Sequence, residues 1–300
     1  MKIIKDIQSN AQQIQKTISK YGHLAQHHFH FYLNYSRKNE KNVFFEWDGN
    51  QGLFAYQRDN IWRVLTDPIA LQRSKKKIIF EFFDWTFTHR NIKKIILEDM
   101  TEDFWKEIVE AVKSSKFRAA KPSYVLLWPL IDLEDWSEKL EGKKWKRLRN
   151  MRNKFFKENQ VQIKESYQIK KEDLTRLVFK WEKQRGSTDK VHSLQYLRFI
   201  NNDFQGCDLV RIMLVNNRPV SINAGWNIPN SRDYYSCIGL YDYSYRNIGE
   251  VSYLDELTEL KRRNYQLVDF GGSEEKLLAF KMKFHPAAIY KTYTFSVFRK

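Results

Sequence analysis

The sequence predicts a mixed α/β protein, in the broad α+β sense. Three observations carry that prediction. Apolar residues recur at helical spacing in several stretches and at strand spacing in others, and the two kinds alternate along the chain. Glycine, asparagine and proline punctuate the boundaries between them. With 42% hydrophobic and 15% aromatic residues over 300 positions, the chain can bury a real core and is long enough for two ordinary domains.

The elements follow in order. Residues up to about Lys20 read as one polar helix with Ile3, Ile4, Ile7, Ile14 and Ile18 as its stripe, ended by Tyr21-Gly22. A second helix would contain His27, His28 and His30. No Asp, Glu or Cys lies beside them, and His28 and His30 fall on different faces, so no metal site is expected. Residues 43–66 alternate as a β-meander, with turns at Asp48-Gly49-Asn50 and Arg58-Asp59-Asn60. Asp67-Pro68-Ile69 breaks the sheet. Helices are expected over 74–89 and 101–114, the second opened by a Thr101-x-x-Phe104 cap with Glu102 and Asp103 in its first turn. Strands are expected over 94–97 and 124–130, the latter ending at Pro129.

The stretch 142–157 is crowded with Lys and Arg and contains no acid. On a helix, Trp145, Leu148, Met151 and Phe155 form one buried stripe, and basic residues cover the other faces. Phosphate contact is the natural use of such a surface; a plain solvated face is the alternative. Further on, 161–167 reads as a strand, 171–185 as a helix, Gly186-Ser187-Thr188-Asp189 as a loop and 194–201 as a helix. A hairpin turns at Asn216-Asn217, a third strand covers 234–240, and a long helix runs from Arg246 to Arg263.

The last segment is the densest in signals. Leu267 to Phe270 is a short apolar strand, and Gly271-Gly272 frees the backbone for a turn. Ser273 stands where a helix N-cap belongs, before Glu274 and Glu275. Leu277, Phe280 and Phe284 share one helix face, Lys276, Lys281 and Lys283 point elsewhere, and Pro286 stops the helix. A strand, a glycine turn and a capped helix together present free amide groups to an anionic or carbonyl-bearing ligand. A well-capped helix with solvated lysines is the plainer reading.

Here the residues carry a resemblance. Asp269-Phe270-Gly271-Gly272-Ser273, then Phe280-Lys281-x-Lys283-Phe284-x-Pro286 and Tyr290, resembles the C-terminal signature of the phosphatidylglycerol lysyltransferase (LPG synthase) catalytic domain. It is more distantly similar to Fem-type peptidyltransferases. The segment around Asp67-Pro68-Ile69 resembles the family's GDPI step, with Thr66 in place of the usual glycine. The basic stretch resembles its GKK…LRN…NR helix at Gly142, Lys143, Lys144, Leu148, Arg149, Asn150 and Asn153. The family often carries a membrane domain before this unit, and the resemblance covers the catalytic unit alone.

The resemblance implies two tandem GNAT-like domains, each a mixed twisted sheet flanked by helices. They would span 1–135 and 136–300, the second opening with the basic helix and carrying the site. It also implies aminoacyl transfer from a charged tRNA to a hydroxyl or amine, with a phosphatidylglycerol-type lipid as the favoured acceptor. Lys281 would stabilise an oxyanion, and Lys283 would do the same or contact phosphate. Asp269 would hold an ammonium, position the acceptor, or merely cap the turn. Gly271, Gly272, Ser273, Arg246, Phe280 and Tyr290 would bind substrate. Lys143, Lys144, Lys146, Arg147, Arg149, Arg152 and Lys154 would bind tRNA.

Bulk properties agree with a polyanionic partner. The formal net charge of +16 attracts tRNA or an anionic membrane surface. Two cysteines without metal spacing indicate a reducing compartment. No run approaches a membrane span or a signal peptide, so a cytoplasmic protein with peripheral contact at the inner membrane face is expected. No cofactor is expected beyond aminoacyl-tRNA as co-substrate. An acyl-CoA enzyme of this fold would place small neutral residues where Glu250 and Val251 stand. The competing readings are a non-catalytic RNA-binding protein and an acyl-CoA-type N-acyltransferase.

Overall fold

The apolar stripes close over the two faces of one long mixed sheet. The computed structural model describes residues 1–35, 40–89, 91–185 and 193–300. The expected loop Gly186-Ser187-Thr188-Asp189 lies outside the described residues.

In chain order the first half contains β1 (Lys2–Ile4), α1 (Ala11–Tyr21), α2 (Phe29–Asn34), β2 (Val43–Trp47), β3 (Gln51–Arg58) and β4 (Ile61–Leu65). Next come α3 (Gln72–Phe87), β5 (Lys94–Thr101), α4 (Glu102–Lys113), β6 (Phe117–Ala119) and β7 (Tyr124–Asp132). The second half contains α5 (Lys146–Glu158), β8 (Val161–Lys164), α6 (Lys171–Arg185), α7 (Leu194–Asn201), β9 (Leu209–Val215), β10 (Arg218–Asn227) and β11 (Tyr234–Tyr241). It ends with α8 (Ile248–Arg262), β12 (Leu267–Asp269), α9 (Glu275–Lys281) and β13 (Ala288–Arg299).

The strands lie in the order β1-β2-β3-β4-β5-β13-β7-β12-β11-β10-β9-β8, with β6 also paired to β13. The C-terminal strand β13 therefore pairs antiparallel with β5 on one side and β7 on the other. Strand β7 in turn pairs with β12. The chain crosses between the halves at the middle of the sheet. Each half has a core on both faces. Phe45, Phe82, Leu97, Phe104 and Phe295 belong to one core of the first half, and Ile14, Phe44 and Phe54 to the other. Leu148, Phe155, Leu257 and Phe284 share a core in the second half, opposite Trp181, Ile212, Trp226 and Ile238.

Local chemistry explains most boundaries. Asn216 and Asn217 both have positive φ, at 50° and 61°, as a two-residue hairpin requires. Trp145, Leu148 and Phe155 are buried along α5, and Met151 packs beside them. The meander, α3, α6 and α7 stand where the periodicity places them.

Several expectations are corrected. Residues 2–4 form an edge strand paired with β2, not a helix turn, because Ile4 fits into the core with Phe44 and Phe54. His27 and His28 precede α2. His28 is its N-cap, its Nδ1 accepting from Phe31 N at 3.3 Å, and its ring stacks on Trp226 at 4.3 Å. Buried His27 bonds the Asp67 carbonyl through Nε2 at 3.1 Å. Strand β5 runs on to Thr101 because β13 pairs along it. Strand β7 continues through Pro129, whose carbonyl accepts from Phe270 N at 3.1 Å. Strand β8 stops at Lys164, where residues 166–168 make a 3₁₀ turn.

Asp67 explains why Thr101 does not cap α4 with its side chain. The Thr101 hydroxyl donates to Asp67 Oδ2 at 2.7 Å, and its backbone N–H donates to Oδ1 at 3.0 Å. Buried Lys75 adds an ion pair to Oδ2 at 3.3 Å. This pinned turn forces Thr66 to φ 56°, where a β-branched residue is strained, and leaves its buried hydroxyl without a partner among the described residues. Thr66→Gly should therefore stabilise the protein by about 1 kcal/mol, with relief of strain exceeding the glycine entropy cost. Urea unfolding checks this: the midpoint rises, and an unchanged or lower midpoint would mean that Thr66 is not strained.

Candidate functional site

A fork in the sheet creates the site. Strands β11 and β12 are parallel but pair only at Tyr234↔Val268 and Tyr235↔Asp269. Beyond that point β11 continues to Tyr241, while the segment after β12 turns away through Phe270-Gly271-Gly272. A cavity of about 600 Å³ fills the fork. Ser236, Cys237, Gly239 and Tyr241 form one wall, Phe270 to Gly272 the other, and the start of α8 closes the end. Charged groups and apolar rings meet in this space.

Lys281 is the central group. It is 3% exposed, not solvated, yet it lines the cavity. Its Nζ donates to the carbonyls of Phe270 and Gly271, the latter at 3.0 Å. An ammonium has three donors, so one remains. Gly271 has φ 79°, which turns these carbonyls towards the lysine at a conformation that other residues resist. Gly272 is needed for a different reason: a Cβ there would lie 2.6 Å from Leu126 Cδ1. Burial lowers the Lys281 ammonium to about 8, partly offset by the nearby Asp269.

Asp269 is buried at the end of β12. It accepts from Gly271 N at 2.7 Å and from Tyr290 Oη at 2.5 Å. Burial raises its carboxyl to about 6, opposed by these two bonds and by Lys281. It thus caps the turn and holds Tyr290, whose ring stacks on Trp128 at 5.5 Å.

The remaining expected residues divide. Arg246 and Phe280 line the same cavity as Lys281, Gly271 and Gly272. Arg246 has no side-chain hydrogen bond or ion pair among the described residues, and it stands just before α8. Asn247, Ile248 and Gly249, at the N-terminal end of that helix, also line the cavity, so the positive end of its dipole faces the space. Ser273 is not a helix cap. It is buried, its Oγ donates to the Gly271 carbonyl at 3.1 Å, and its backbone bridges to Leu127; Glu274 precedes the helix instead. Leu277 is exposed rather than packed, while Phe284 is buried in a 3₁₀ turn after α9. Lys283 is committed to Glu250, 2.7 Å away. That pair also neutralises Glu250, so the glutamate repels an anion less than its sequence position suggested.

The basic helix is joined to this region. His285 Nε2 bonds the Lys144 carbonyl at 2.9 Å, and Trp145 meets the His285 ring edge-on at 5.0 Å. Lys143, Lys144, Lys146, Arg147 and Lys154 are exposed. Arg149 instead donates to the carbonyls of Leu140 and Gly142, and Arg152 to that of Glu138 at 2.5 Å, which ties down the preceding loop. Lys154 has an i,i+4 partner after all, Glu158 at 3.6 Å.

Sequence reasoning missed the tyrosines. Tyr235, Tyr241, Tyr243, Tyr245 and Tyr253 all line the cavity. Their density between 234 and 245 was the available signal. It also missed Glu256, buried behind them, which accepts from Asn223 Nδ2 at 3.0 Å and Ser236 Oγ at 2.9 Å. Burial raises this carboxyl to about 7.

Comparisons with known proteins agree with the architecture. The family described as phosphatidylglycerol lysyltransferase, C-terminal, matches residues 23–237. Among solved structures, L-PGS from Bacillus licheniformis superposes with a TM-score of 0.69 at 14% identity, covering 96% of this chain and 91% of that one. FemX gives 0.63 at 10% identity, covering 99% and 97%. A tandem GNAT protein from the clavulanic acid biosynthesis pathway gives 0.57 at 9%, covering 99% and 98%. These likenesses establish a GNAT-like fold. Comparison with curated proteins gave no match.

The buried lysine makes a testable demand on stability. An unfolded lysine keeps its proton to the ordinary value of 10.5, whereas folded Lys281 releases it near 8. Between those values the unfolded chain binds more protons, so the Lys281 contribution to stability rises with pH. Urea midpoints of the native chain and of Lys281→Met, compared below pH 8 and near 10.5, should diverge in favour of the native chain by roughly 3 kcal/mol. A difference that is flat with pH would mean an ordinary exposed lysine.

Proposed function

This chain belongs to the phosphatidylglycerol lysyltransferase C-terminal family, and on that premise we propose that it moves an aminoacyl group from an aminoacyl-tRNA to a hydroxyl or amine acceptor, with a phosphatidylglycerol-type lipid as the favoured acceptor. The observation that carries this reading is the buried Lys281 ammonium, with two N–H groups spent on carbonyls and its head at the cavity.

The chemistry needs little beyond that. The aminoacyl ester is already activated. The acceptor oxygen or nitrogen attacks the ester carbonyl carbon, and the C=O becomes a tetrahedral oxyanion. The remaining Lys281 N–H stabilises that charge in a water-poor site. Collapse breaks the bond to the tRNA ribose oxygen, which takes up a proton as the acceptor loses one. The tyrosine-rich walls hold the reactants in place.

Recognition of tRNA falls to the exposed cations at the start of α5, supported by the net charge of +16. Arg246 and the N-terminal end of α8 suit a terminal phosphate. Among the described residues no helix is long and apolar enough to cross a membrane. A lipid acceptor would be met at the bilayer surface. The reading needs no cofactor. A second reading, acyl-CoA transfer, draws on the same helix end at the cavity and on the neutralised Glu250.

Incubation with labelled aminoacyl-tRNA and phosphatidylglycerol vesicles tests the proposal. Labelled lipid is the expected product. Lys281→Met should lower kcat by ~10²–10³, the usual loss for one oxyanion donor. Replacing Lys143, Lys146 and Arg147 with Ala should raise KM for the tRNA and leave kcat intact. Normal turnover by Lys281→Met would remove Lys281 from the mechanism. Micromolar acetyl-CoA binding without aminoacyl transfer would favour the second reading.

A further inference from the structure

A second chamber adjoins the main cavity. Its volume is about 220 Å³. Tyr196, Tyr235, Cys237 and Gly272 line both spaces, so the two are separated by little more than this wall. Among the described residues the chamber contains one carboxylate, Asp99, beside the rings of Phe31, Trp128 and Phe199.

Asp99 is placed there by a β-bulge. Strand β13 pairs Tyr293 with Met100 and Phe295 with Leu97, so Glu98 and Asp99 together stand against Thr294 alone. Leu97 and Met100 consequently both reach the first-half core although they are three residues apart. Glu98 is committed to Arg63. Asp99 adopts φ 53° and turns towards the chamber. Such bulges re-aim a side chain at the expense of regular pairing.

The carboxylate there is poorly served. It has no ion pair among the described residues. Gln26 Nε2 donates to Oδ2 at 3.5 Å and Thr292 Oγ1 to Oδ1 at 3.4 Å, both long. The Thr292 hydroxyl is itself held by Trp128 Nε1 at 2.8 Å. Burial, followed by the neighbouring Glu98, raises the Asp99 carboxyl to about 7. No metal-binding cluster of His, Cys, Asp or Glu occurs among the described residues.

We propose that the Asp99 chamber binds a primary ammonium group. An ammonium would supply the missing countercharge and hydrogen-bond donors, and the surrounding rings would add cation–π attraction. Among the described residues a guanidinium or metal dication would find no second carboxylate lining the chamber, which such ions usually recruit. The amine has two possible sources, the amino group of the donor aminoacyl ester or an amine acceptor. Its place beside the transfer cavity rests on the function proposed above, but the binding itself does not.

Calorimetry on the full chain with n-butylamine and n-butanol tests the site. The amine should bind saturably and the alcohol should not. Asp99→Asn should weaken amine binding roughly tenfold or more, since the charge partner is lost. Asparagine accepts the left-handed backbone as readily as aspartate, so this variant keeps the fold. Leu126→Trp, which fills the chamber and spares the carboxylate, should also abolish binding. Equal binding of amine and alcohol, or undiminished binding by Asp99→Asn, would overturn the proposal. In the transfer assay, competition with aminoacyl-tRNA identifies the donor amine, and competition with an amine substrate identifies the acceptor. Amine binding that competes with neither would overturn the link to transfer. If no transfer is seen at all, the calorimetric result still decides the chamber.

Discussion

Burying an ammonium is the costly step in this structure, and the C-terminal turn is organised to offset it. A desolvated lysine loses several kcal/mol of hydration unless polar groups replace the water. Two carbonyls do so here, and Asp269 lies close enough to favour the charged form. Those carbonyls point inward because Gly271 adopts φ 79°. The turn can sit against Trp128 and Leu126 because Gly272 has no side chain. Asp269 is held in its turn by Tyr290 from β13. Loss of any one contact would leave a buried charge or carbonyl unsatisfied.

The same constraint explains the crossed strands. Tyr290 belongs to the last strand and Trp128 to β7; β7 lies beside β12, and Tyr290 reaches Asp269 from the next strand over. Placing β13 and β7 at the middle of the sheet brings both halves to the site. The first half contributes Asp99 and Gln26 to one chamber, and the second contributes Lys281 and the tyrosines to the other. A long cleft divided by Gly272 and Tyr235 is the consequence. The basic helix joins this arrangement through Trp145, which packs on His285, and His285 sits one short turn beyond Lys281.

Much of this was legible in the sequence where the cause is local. The α5 stripe follows from spacing, and the Asn216-Asn217 hairpin follows from residues that tolerate positive φ. The strain at Thr66 showed as a departure from a glycine position. What was not legible depends on distant partners. Ser273 carries every mark of an N-cap, yet a bridge to Leu127 draws it into the sheet. Arg149 and Arg152 look like free cations but find loop carbonyls. Lys281 was readable as a position and unreadable as buried, because its partners lie across the glycine turn. Asp99 was wholly hidden: its bulge exists only against Thr294, 195 residues away.

The charge state of Lys281 can be observed directly. With lysine labelled by ¹³C and ¹⁵N, its side-chain resonance is the one that disappears in Lys281→Met. A pH titration of that resonance should give a midpoint near 8, below the ordinary lysine value of 10.5. A midpoint at the ordinary value would contradict a buried ammonium at the cavity and the site built around it.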